Sequence, residues 1–210
     1  MVIINKQLLF FGIFMLSIKL FVINSLFLCL GISQFAVASG TMNEDEVNNV
    51  SRVDATSENE KQLISKAAGL LADYEITAKK LIANLESNDS KVMAVNEQAK
   101  KLLELSETVI DSTQFRLPQC NEYLAKSLLL KNQLQTISHD KLEKDYHHDA
   151  ALPKAAPECY HTKDLFVHPA TVIVLTRDDP SLNESTKSSI NAEISEVLGH
   201  LELVRQLVIY

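Results

Sequence analysis

Three stretches of this chain carry apolar residues at helical spacing. Ile64, Ala67, Leu71, Tyr74, Ala78, Leu81 and Leu85 recur at alternating steps of three and four, which places them on one face of a helix. Leu63, Leu70 and Ile82 widen the stripe beyond a two-stranded coiled-coil seam and suit a packed bundle. Ser57 and Glu60 stand before it as S-x-x-E, the capping box in which hydroxyl and carboxylate each satisfy an orphan backbone amide. A helix over 57–87 follows. A second is predicted over 90–113, with Val92, Val95, Ala99, Leu102, Val109 and Ile110 inward. The turn before it, Asn88-Asp89-Ser90, is short enough to make the two antiparallel neighbours. The last stripe, Ile190, Ile194, Val197, Leu201, Val204 and Val208, runs to the C-terminus behind two start signals, Asp179-Pro180 and Ser181-x-x-Glu184.

Between the second and last stripes the pattern weakens. Pro118 opens a third predicted helix, to about Asp145, with Tyr123, Leu124, Leu128, Leu134, Ile137 and Leu142 inward. Residues 146–180 then form a long irregular crossover, and long loops in compact domains are often functional. Within it, Thr171-Val172-Ile173-Val174-Leu175 is β-branched, but a lone strand in a helical domain has no partner. After His168-Pro169 it reads instead as a short helix. The expected fold is all-α: an antiparallel up-down four-helix bundle with a long irregular crossover between the third and fourth helices. In architecture alone this resembles exported helical-bundle cytochromes, although the haem-attachment motif C-x-x-C-H is absent.

Composition divides the chain. The first 38 residues lack any acidic side chain and hold six of the eight Phe, with Lys6 and Lys19 on the N-terminal side of an apolar run. They end in Ala36-Val37-Ala38, a small-residue motif that predicts signal-peptidase cleavage before Ser39. An uncleaved leader is the alternative, and the only route to a membrane. A leader rich in Lys, Asn and Ile fits a bacterial exported protein, periplasmic or secreted. Residues 39–56 are polar and aperiodic, a flexible tail, and 57–210 form the bundle domain. The whole chain carries a net charge of -7, and the body without its leader is more acidic still, which disfavours phosphate backbones and excludes nucleic acid.

The candidate chemistry gathers in one place. Five of the six histidines, His139, His147, His148, His161 and His168, crowd into a short stretch with Asp140, Glu143, Asp145, Asp149, Glu158, Cys159 and Asp164. Imidazoles beside carboxylates form a ligand set for Zn, Cu or Ni. His147, His148, His161 and His168 are the predicted metal ligands. His139 with Glu143, and Glu196 with His200, are i, i+4 pairs that each share a helix face. Tyr146-His147-His148-Asp149 is the only candidate acid–base group, and no hydrolase or redox motif is present, so no catalytic residue is assigned. Cys120 and Cys159, the two cysteines beyond the leader, predict a disulfide in an oxidising compartment. The alternative use of Cys159 is as a thiolate ligand or nucleophile. The expected function is an exported helical-bundle binding protein that takes a transition metal through the His-rich crossover. Its rival is a structural or protein-interaction bundle with no metal, the crossover being a disulfide-stapled loop. Leu207-Val208-Ile209-Tyr210 could extend the last stripe against a protein partner or a second copy.

Overall fold

The computed structural model describes residue 42 and residues 44–210 apart from Asn88. The expected leader, with Ala36, Ala38 and Ser39, lies outside the described residues. Among the described residues the regular structure is all helical, with no strand: α1 (Glu44–Asn48), α2 (Glu58–Glu86), α3 (Val92–Arg116), α4 (Asn121–Leu128), α5 (His139–Leu142), α6 (Tyr160–Asp178) and α7 (Glu184–Val208). None of them is long and apolar enough to cross a membrane.

The periodic stripes fold as helices and face inward. Ser57 caps α2, its Oγ accepting from Glu60 N at 3.3 Å while Glu60 Oε2 accepts from Ser57 N at 2.8 Å. Every residue of the first stripe from Ala67 to Leu85 is buried. Two starts differ in chemistry from expectation. The cap of α3 is Lys91, which makes no side-chain cap bond. That of α7 is Asn183, whose side chain accepts from Thr186 N at 3.0 Å. Asp179 instead closes the corner before α7, taking the amides of Ser181 and Asn183 at 3.1 and 2.9 Å. At the far end Leu207 and Val208 are buried within the chain, and Tyr210 is exposed.

Helix α2 packs against α3 and α7, and α6 packs against the same two. Cross-contacts fix the directions. Asn84 meets Gln98 and Ser112 meets the Leu63 carbonyl, so α2 and α3 are antiparallel. Asn96 with Thr176 and Thr113 with Thr162 make α3 and α6 antiparallel.

The stretch between α3 and α7 departs from the expected pattern. No single third helix covers 118–145. A 3-10 turn (Pro118–Cys120), α4, a second 3-10 turn (Leu129–Gln133), α5 and a π-helical turn (Glu143–His147) follow one another instead. Tyr123, Leu124, Leu134, Ile137 and Leu142 are buried as expected, but from a broken path. The crossover expected over 146–180 is largely the helix α6, which absorbs Thr171–Leu175, so the long connection precedes this helix and only a tight corner follows it. The physical reason is burial: every residue from His161 to Val174 is buried. Segment 117–159 lies over the face of α6 that the long helices leave open. A helix buried all round shows no amphipathic stripe.

Specific bonds hold this cover in place. Cys120 and Cys159 lie at disulfide distance, with sulfurs 2.09 Å apart, and join the two ends of the cover. Arg177, in the last turn of α6, donates to the carbonyls of Leu134 and Ile137 at 2.6 and 2.8 Å. Pro169 stands inside α6 and cannot donate to the carbonyl four residues earlier. That carbonyl, of Leu165, accepts instead from the Tyr74 hydroxyl at 2.9 Å. Burial, then the nearby Asp164 charge, pushes the Tyr74 phenol well above its ordinary range.

Residues 44–56, expected as a flexible tail, are tied to the body. Val47 is buried. Val53 pairs with Arg116 through its amide and carbonyl, at 2.8 and 2.6 Å. Apolar contact and backbone pairing explain the order.

Candidate metal centre

Helices α6 and α7 face each other across a polar seam. On α6, His161, Asp164 and His168 stand at i, i+3 and i+7; on α7, Glu193, Glu196 and His200 repeat that spacing. Each set lies on one helical face. His168 meets Glu193 and Asp164 meets His200, an antiparallel register that carries the seam over two turns.

The cover adds a third side. In the π-helical turn, Glu143 Oε2 accepts from His147 Nδ1 at 2.7 Å. Across the seam Glu193 Oε2 stands 2.7 Å from His168 Nδ1. The two imidazoles are therefore matched, each with a carboxylate behind one nitrogen, and their rings meet edge to face with centroids 4.8 Å apart. His168 is fully buried, and its Nε2 has no hydrogen-bond partner. Ligand atoms of His147, His168 and the exposed Glu196 lie within 4.8 Å of one another. Those of His161, Asp164 and His200 form a second such group, and those of Glu143, His147 and Glu193 a third.

Charge follows position. Burial alone would raise the Glu143 carboxyl, but its bond to His147 and the imidazoles of His139 and His148 hold it below its ordinary range. The same bond raises the His147 imidazole against burial. Burial would also raise Asp164. His200, Lys163 and His168 outweigh it and hold that carboxyl far below its usual value.

Lys163 positions this corner. It is buried, and its Nζ donates to the carbonyls of Tyr146 and His147 at 3.2 and 2.9 Å and to Asp149 Oδ1 at 3.1 Å. Asp149 has a φ of 59°, a left-handed conformation that Asp tolerates better than most residues. Its Oδ1 also accepts from the Tyr123 hydroxyl at 2.8 Å. One ammonium thus pins the turn that carries His147.

The four predicted ligands do not converge on one point. His147 and His168 come together, and His161 falls in the neighbouring group. His148 is exposed and stacks flat on His147, centroids 5.1 Å apart, outside all three groups. His139 stands 3.7 Å from Glu143. Cys159 is engaged with Cys120 and offers no thiolate. The side chains of Tyr146, His147, His148 and Asp149 serve separate partners: Gln133, Glu143, a stacked ring, and Tyr123 with Lys163. Glu158 bonds Gln119 at 3.0 Å. Glu193 is the residue that the sequence pattern did not single out; Asp164 is named there only among the carboxylates near the histidines, and Glu196 and His200 only as a pair sharing a helix face. Their signal was the repeated i, i+3, i+7 spacing of ligand-type residues on two segments, visible once both are helices.

Among known proteins, no family model, curated protein or solved structure matches this chain.

Proposed function

We propose that this protein is an exported, periplasmic or secreted, four-helix-bundle binding protein for a divalent transition metal. In this reading α2, α3, α6 and α7 are the bundle. His147, His168 and Glu196 hold the ion, with Glu143 and Glu193 behind the two imidazoles. Zn, Cu and Ni all suit such a nitrogen and oxygen set.

One observation carries the reading: two imidazoles, each with a carboxylate 2.7 Å from Nδ1, have ligand atoms within 4.8 Å of each other and of a Glu196 oxygen. Metal-bound histidines have this arrangement, because the outer carboxylate fixes the tautomer and raises the basicity of the free nitrogen. Three carboxylates around neutral imidazoles more than offset the charge of a doubly charged ion. Bonds of about 2.05 Å put tetrahedral ligands about 3.3 Å apart. Donor atoms already within 4.8 Å close that gap by small rotations of His147 and Glu196, neither of them locked in the core. Three protein ligands leave a coordination position toward the exposed Glu196 edge, for water or for transfer of the ion.

The test is direct. Full-chain protein is loaded separately with Zn(II), Cu(II) and Ni(II), freed of excess, and its metal counted by elemental analysis. The parent is expected to hold metal stoichiometrically, and the double variant His147→Ala/His168→Ala to lose one ion per chain with its helical circular dichroism unchanged. Glu193→Gln should keep that ion but bind it about 10–100-fold more weakly. A metal-free parent, or a double variant that keeps the parent's content, overturns the proposal and leaves the interaction-protein reading.

A further inference from the structure

We infer that the α6–α7 seam is a two-ion centre, with a second metal site made by His161, Asp164 and His200. The inference rests on the reading above, because the second site gains its meaning from an occupied first one one turn away. His168 borders both groups, its ring 4.8 Å from His147 and 6.2 Å from His200.

Geometry carries the second site. The rings of His161 and His200 meet edge to face at 4.7 Å. His200 Nδ1 stands 3.2 Å from Asp164 Oδ2, close to the roughly 3.3 Å edge of a tetrahedral zinc site, and ligand atoms of His161, Asp164 and His200 all lie within 4.8 Å of one another. Asp164 Oδ1 stands 3.1 Å from the Lys163 ammonium. One carboxylate oxygen thus pairs with the Lys163 charge, and the other lies beside the His200 imidazole.

The two sites differ in electrostatics. Glu143, Glu193 and Glu196 surround the first, whereas the single carboxylate of the second is offset by Lys163. The first therefore fills first, and the second is the weaker. The second is also the more enclosed, since His161 and Asp164 are buried while Glu196 is exposed. Exchange at the second site should accordingly be slower.

Cobalt(II) separates these statements, because its visible d–d absorption reports coordination site by site. Titrated into the metal-free full chain, Co(II) should bind at two ions per chain in two phases. His161→Ala/His200→Ala should lose the weaker phase and keep the tighter one. Asp164→Asn, a nearly isosteric change, should weaken that phase at least tenfold and change its spectrum. One ion per parent chain, or an Asp164→Asn titration identical to the parent's, overturns the second site and leaves the first intact. No bound cobalt in the parent overturns the first as well.

Discussion

Helices α2 and α3 each keep one face in water, whereas α6 keeps almost none: from His161 to Val174 every residue is buried. The difference is one of partners. An outer helix needs neighbours on one side only, and its polar face is solvated without cost. A central helix must satisfy every polar group from within the protein, since burying an unpaired one costs several kcal/mol. In α6 this falls on His161, Lys163, Asp164, His168 and Thr171, all buried. Helix α2 buries Tyr74 and otherwise apolar side chains. All of these helices supply the hydrophobic core, and the central one also carries the buried ionisable groups His161, Lys163, Asp164 and His168.

The sharpest way to break that comparison is to cut the staple of the cover. In the chain-entropy model, closing a loop with a sequence separation of 39 is worth about 4 kcal/mol. Cys120→Ala/Cys159→Ala should lower unfolding free energy by about that amount in urea. Amide exchange should then quicken most in α6 and segment 117–159, and less in α2 and α3. Equal loss in α2 would show that central and outer helices open as one unit and that the distinction has no energetic meaning.

What could be read from the sequence follows the same division. The 4-3 stripes of α2 and α7 gave their helices, their inner faces and the antiparallel pairing of α2 with α3, because a half-wet helix records its environment residue by residue. The capping box at Ser57 was equally legible, being wholly local. Helix α6 was not. With water excluded on nearly all sides it has no stripe, and its Pro169, His168 and β-branched run all speak locally for a break. Only tertiary contacts answer them: the cover outside, and the Tyr74 hydroxyl on the orphaned carbonyl. The candidate metal centre was half legible for the same reason. The crowding of histidines pointed to the region, but His147 and His168 come near Glu196 only through the packing of three separate elements.

A smaller effect tests one such contact. Tyr74→Phe leaves the Leu165 carbonyl buried and unpaired beneath Pro169, which should cost about 1–2 kcal/mol. Pro169→Ala restores the backbone donor to that carbonyl. In the double variant the Tyr74 substitution should therefore cost much less, and the coupling measured by a double-mutant cycle should approach the cost of the single change. Strict additivity would mean that the hydroxyl stabilises α6 by some route other than replacing the missing amide.

The smallest effect compares two surface carboxylates, one on each side of the division. Glu60 at the start of α2 is held below its ordinary range by the Ser57 and Thr56 amides. Asp179 at the corner after α6 is held down to about 2, by the Ser181 hydroxyl first. For a carboxylate whose folded pKa is depressed, the contribution is complete above its unfolded value of about 3.9 and disappears as pH falls through the folded one. Asp179→Asn should thus reduce the loss of stability between roughly pH 5 and pH 2, measured as the shift of the urea midpoint. Glu60→Gln should reduce it less. If the order reversed, the corner that delivers α7 to the seam would owe less to Asp179 than to the Asn183 cap. The register of Glu193, Glu196 and His200 against α6 would then depend on that cap and on the packing below it.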